Sequence, residues 1–108
     1  MKTTIARDIE GYLVNPDEWS EDIALELARE EGIDLDDDYW AILRFMRDYY
    51  AEHGVIPDVR HVSAFLAREH AITTKEAKKK LFAMFPYGYV KQACKIAGMK
   101  RPRAWSTG

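Results

Sequence analysis

The sequence predicts a mainly α-helical protein: a small bundle of about five helices with a short N-terminal β-hairpin. Three observations predict it. Apolar residues recur at helical spacing from Ile23 onward, β-branched residues crowd the first stretch, and Gly or Pro interrupts most of the helical runs. The 108 residues, 47% of them hydrophobic, are enough for one domain with a modest core.

Each element has its own signal. Residues 3–14, TTIARDIEGYLV, read as two extended pieces around a turn. Thr3, Thr4 and Ile5 favour the first piece, Tyr12, Leu13 and Val14 the second, and residues 8–11 supply the turn chemistry. After Asn15-Pro16 the period becomes helical. Ile23 and Leu27, with Ala24 and Ala28, repeat at i, i+4 until Gly32.

A second helix is predicted over about residues 37–53. Asp34, Asp36, Asp37 and Asp38 crowd its start, where the helix dipole favours acids. Ile42, Phe45, Met46 and Tyr49 share one face, and Gly54 follows the end. Pro57 is placed to open a third helix to about residue 69, carrying Val59, Val62, Phe65 and Leu66. Thr73 and Glu76 form a capping-box pattern for a fourth helix ending near Met84. Beyond Pro86 and Gly88, a fifth helix over about 89–97 ends at Gly98 and carries Cys94. Residues 1–98 thus read as one domain, and 99–108, MKRPRAWSTG, as a flexible C-terminal arm.

Net charge is −2 but unevenly placed. Residues 1–74 hold 7 Lys/Arg against 17 Asp/Glu, a balance of −10; residues 75–108 hold 9 against one acid, Glu76, a balance of +8. Such a basic segment fits an anion, a nucleic acid or an acidic partner, or lies on the protein's own acidic surface. No run approaches a membrane span, and the N-terminus lacks the apolar stretch of a signal peptide. One Cys cannot form an internal disulfide, so a cytoplasmic location is expected. Cys94 with His53, His61 and His70 scattered does not make a metal set, and no cofactor motif is present. The acid run DLDDD lacks the spaced ligands of a calcium loop.

Two features carry candidate chemistry. Cys94 has Lys91 one helical turn before it and Lys95 beside it; ammonium groups favour a thiolate, suiting a nucleophile or persulfide carrier. The alternative is a small apolar side chain on a buried helix face. Residues 61–84 could form a helix–turn–helix offering Lys75, Lys78, Lys79 and Lys80 to DNA, or an ordinary helical pair with a solvated lysine face. The aromatic pairs Tyr39-Trp40 and Tyr49-Tyr50 read as core.

Several blocks together resemble the DsrC/TusE family, also called the gamma subunit of dissimilatory sulfite reductase. They are GYLVNPDEW (11–19), the stretch from Trp40 to Tyr50, the PDVR ending at Arg60, LFAMFPYG (81–88) and KQACKIAG (91–98). The resemblance implies a small helical protein with an N-terminal hairpin that carries sulfur rather than catalysing. Its C-terminal arm would enter a sulfite reductase, a sulfurtransferase-type partner or the tRNA-thiolation machinery. It implies a sulfur-handling role for Cys94, a place near the arm's base for Arg60 and Lys91, and steering of the arm by Lys100, Arg101 and Arg103. Where relatives have a second, terminal cysteine, the tail here has none, so the chain resembles a divergent member. A regulatory DNA-binding protein using residues 61–84 is the competing reading.

Overall fold

Four α-helices form where apolar spacing and capping residues coincide. In the computed structural model, which describes residues 5–100, they are α1 (Glu21–Glu30), α2 (Asp37–His53), α3 (Val59–His70) and α4 (Thr74–Met84). Each starts on a side chain that accepts a backbone N–H: Ser20, Asp36, Asp58 and Thr73. Thr73 and Glu76 make the expected reciprocal box. Asp58 makes a second box with His61, whose ring accepts the Asp58 N–H. Pro57 therefore stands outside α3, with its carbonyl free to serve another element.

The turn between α3 and α4 contains no glycine. Ala71 takes the left-handed conformation, φ 53°, that glycine would adopt more cheaply. α3 packs on α4 and α2 on α3, with Ile42, Leu43, Met46, Val62, Leu66, Ala77 and Leu81 buried between them. Phe45 and Phe65 stack at 4.5 Å beside this core.

Of the predicted hairpin, the described residues show a tight turn. Asp8 N donates to Tyr12 O, Gly11 N to Asp8 O, and one antiparallel bridge joins Arg7 and Leu13. No strand forms among the described residues, and Thr3 and Thr4 lie outside them. Side chains add to these backbone bonds: Arg7 holds Gly11 O and forks onto Glu30 of α1 at 2.7 and 2.9 Å. A 3-10 turn, Pro16–Glu18, follows and delivers Trp19 to the core.

The fifth helical segment departs from an α-helix. Tyr89–Cys94 is wound as a π-helix, then tightens for one turn before Gly98. Its end is a Schellman motif: Met99 N donates to Cys94 O and Gly98 N to Lys95 O, with Gly98 at φ 76°. Tyr89, Val90, Ala93, Cys94, Ile96, Ala97 and Met99 are all buried. Met99 therefore belongs to the packed body, and an arm begins no earlier than Lys100. The rest of the predicted arm, residues 101–108, lies outside the described residues.

Gly98 is fixed by space as well as by conformation. A Cβ there would fall 2.4–2.9 Å from Trp19 side-chain atoms. Gly98→Ala is expected to lower unfolding stability by about 3 kcal/mol, from left-handed strain plus overpacking. Urea denaturation checks this; a loss below about 1 kcal/mol would mean that Trp19 yields freely.

Candidate functional site

The block KQACKIAG folds as the last helical segment, and the rest of the protein closes on its end. A helix leaves its last four carbonyls without intrahelical donors. Here all four are satisfied. The Schellman bonds take Cys94 O and Lys95 O. The Trp19 indole N–H donates to Ile96 O at 2.8 Å, and Arg47 of α2 donates to Ala97 O at 2.7 Å.

Arg47 does more than cap. Its second guanidinium nitrogen donates to Pro16 O at 2.9 Å, and its plane lies 4.4 Å from the Trp19 ring centroid. Burial pulls its pKa down, but an arginine stays charged in proteins. One cation thus joins α2, the 3-10 turn and the end of the C-terminal helix.

The other end of this segment is held by tyrosines and a glutamine. Tyr12 OH donates to Val90 O at 2.9 Å, and Tyr89 OH donates to Pro57 O ahead of α3. Gln92 is buried, accepting from Tyr87 N and donating to Glu31 at 3.1 Å. Lys95 reaches the same carboxylate at 3.4 Å and lies over the Tyr12 ring.

These contacts revise the reading of Cys94. The side chain is fully buried against the Tyr89 hydroxyl. Burial pushes the thiol up to about 12; the hydrogen bond with Tyr89 opposes this more weakly. The flanking lysines do not activate it, because Lys95 is turned to Glu31 and Lys91 is exposed. The alternative, a packed thiol, describes the geometry.

The other candidates are dispersed. Lys91 lines a shallow groove with Glu10, Tyr12, Glu31, Tyr87 and Lys95. Arg60 is exposed at the start of α3 and turns back to Asp58 at 3.1 Å; it does not meet Lys91 among the described residues. Lys100 is exposed directly after the buried Met99, whereas Arg101 and Arg103 lie outside the described residues. Lys75, Lys78 and Lys79 are exposed on α4, but Lys80 pairs with Asp38 of α2 at 3.1 Å. Among the described residues no group of His, Cys, Asp and Glu is placed to hold a metal, and no helix is long and apolar enough to cross a membrane.

A helix end capped in this way, built from the KQACKIAG block, is carried by a chain whose residues 1–104 match the family described as DsrC like protein. The chain belongs to the DsrC-like family. It is 39% identical over 100 residues to the sulfurtransferase TusE of Sodalis glossinidius, covering 93% of this chain and 92% of that one. Identity to TusE of Escherichia coli K12 is also 39%, over 91% of this chain and 89% of the relative. The fold matches the crystal structure of the oxidized gamma subunit of dissimilatory sulfite reductase (DsrC) from Archaeoglobus fulgidus, with a TM-score of 0.82 at 30% identity over 94% and 92% of the two chains. The solution structure of Allochromatium vinosum DsrC matches with a TM-score of 0.80 at 34% identity over 94% and 90%. The DsrC-like fold therefore stands, and Trp19 and Arg47 are residues of the site that sequence reasoning missed. Both lie inside blocks that carried the resemblance, GYLVNPDEW and the Trp40-to-Tyr50 stretch, which is the one signal that pointed to them.

The buried thiol gives a test with a definite sign. Its folded pKa lies above the ordinary 9.0, so the unfolded chain loses the proton first. The associated stability is complete below about pH 9 and is lost as pH rises toward about 12. Stability should fall less steeply above pH 9 in Cys94→Ala than in the parent chain. Iodoacetamide at neutral pH should label the folded chain far more slowly than the urea-unfolded one. Equal labelling rates would contradict the buried placement.

Proposed function

We propose that this protein is a sulfur-relay or sulfur-trafficking protein, a carrier or accessory rather than an enzyme, that docks its C-terminal end on sulfite-reductase- or sulfurtransferase-type partners. The observation that carries this is the fully capped helix end. Trp19, Arg47 and the Schellman turn pin the chain up to Met99, so everything after Lys100 starts from one fixed point. Membership of the DsrC-like family, and the names of its relatives, support the sulfur chemistry and the sulfurtransferase and sulfite-reductase classes of partner, and the tRNA-thiolation machinery is a further candidate that the family resemblance implies. A cytoplasmic setting suits a protein whose one cysteine is an unpaired thiol.

In this reading Lys91, Lys100, Arg101 and Arg103 steer the end toward an anionic cleft, and Arg60 stands farther off on α3. Cys94 is a core thiol, so sulfur transfer at this residue requires the π-helical segment to open. The DNA-binding alternative has less support, since Asp38 draws Lys80 away from the cation set that it needs.

Binding to a purified sulfite reductase αβ assembly and to a sulfurtransferase complex of the TusE type tests the proposal. One of the two should bind. Arg101→Glu with Arg103→Glu should weaken that binding about tenfold at low salt, with less effect at high salt. Absence of binding to both, or binding indifferent to these charges and to removal of residues 101–108, would overturn it.

A further inference from the structure

The outward face of α4 is left unexplained by a relay role. Helical spacing puts Lys75, Lys78, Lys79 and Phe82 on one side, opposite the buried Ala77, Leu81 and Met84. The three lysines make no ion pair among the described residues, and Phe82 keeps 42% of its surface exposed. Glu76, the one acid of this helix, is occupied in the capping box with Thr73. Just past the helix end, Tyr87 is 72% exposed and lines the groove that holds Lys91. Cations around exposed rings thus run along α4 toward the helix that carries the C-terminal end.

We propose that this face docks an acidic protein segment bearing an apolar side chain, whose carboxylates meet Lys75, Lys78 and Lys79 while the apolar group covers Phe82. Charge complementarity argues for the occupant: a face with three cations that pair with no acid among the described residues stands out on a protein of net charge −2. A nucleic acid fits less well. The cations span only about 6 Å of helix, and the neighbouring cation, Lys80, is already neutralised by Asp38 with Asp36 and Asp37 beside it in the chain. A continuous phosphate backbone would meet those acids, whereas a short acidic segment would not. Phosphates also offer nothing to cover Phe82. The site is separate from the sulfur-relay reading and holds whether or not the tail carries sulfur.

The test is an NMR titration of the full isotope-labelled chain with a short helical peptide of Glu, Leu and Ala that has leucines on one face. A control peptide of equal charge carries Ala in place of each Leu. Shifts should centre on residues 75–82, and the leucine peptide should bind several-fold more tightly than the control. Lys75→Glu, Lys78→Glu and Lys79→Glu together should weaken binding about tenfold or more, each exposed pair contributing a fraction of that factor. Lys78→Gln with Lys79→Gln should weaken it less, in the same direction. Phe82→Ala should remove the preference for leucine while leaving binding of the control peptide unchanged. Shifts centred elsewhere, or affinity unmoved by the charge reversal, would overturn the proposal. So would a DNA duplex or tRNA that displaces the peptide at lower concentration, or a dimer seen by light scattering that the charge reversal dissolves.

Discussion

The arrangement depends on where one guanidinium finds its acceptors. Arg47 leaves α2 half-buried, donates to Ala97 O and Pro16 O, and lies on the Trp19 ring. Without it two carbonyls would lose their donor, at about 1–3 kcal/mol each, and the indole face its cation. A lysine could satisfy only part of this, because the two bonds need a planar fork. Trp19, held by that cation, then reaches Ile96 O and leaves room at Gly98 only for hydrogen. The end of the C-terminal helix is therefore set by side chains from the first half of the sequence.

The same device recurs around the protein. Amphipathic side chains place a polar tip on a carbonyl that a helix end or loop has left over: Tyr39 on Met84 O, Tyr12 on Val90 O and Tyr89 on Pro57 O. Each joins elements distant in sequence, and each lets a ring pack while its hydroxyl is satisfied. This suits the proposed reading, in which a small body docks through one end of its chain. Rigidity up to Met99 lowers the ordering cost that binding through the following residues must meet. The thiol beneath, at Cys94, is meanwhile kept neutral and covered.

The helices were legible in the sequence because their signals are local. Asp36 to Gly54 frames α2, and Thr73 with Glu76 frames α4, through backbone bonds within a few residues. The start of α3 was misplaced by two residues because Asp58 caps more effectively than Pro57 initiates. Of the hairpin, the described residues show the turn, which Arg7 steadies through Gly11 and Glu30, while Thr3 and Thr4 of the first piece lie outside them. What escaped was long-range. Adjacency in sequence put Lys95 beside Cys94, yet on the helix one faces Glu31 and the other the core. Nothing local marks Arg47 as a cap for a helix 50 residues away. The π-helical turn likewise reflects what Tyr89 and Val90 must reach across the fold rather than the propensity of YVKQAC.

Native-state amide hydrogen exchange at Gly98 and Met99 tests the clamp most directly. If the C-terminal helix is pinned as described, both amides should exchange with opening free energies within about 2 kcal/mol of the slowest amides of α2. In Arg47→Ala these two should accelerate more than the α2 core does. Exchange of Met99 at the rate of an unstructured peptide in the parent chain would contradict the account.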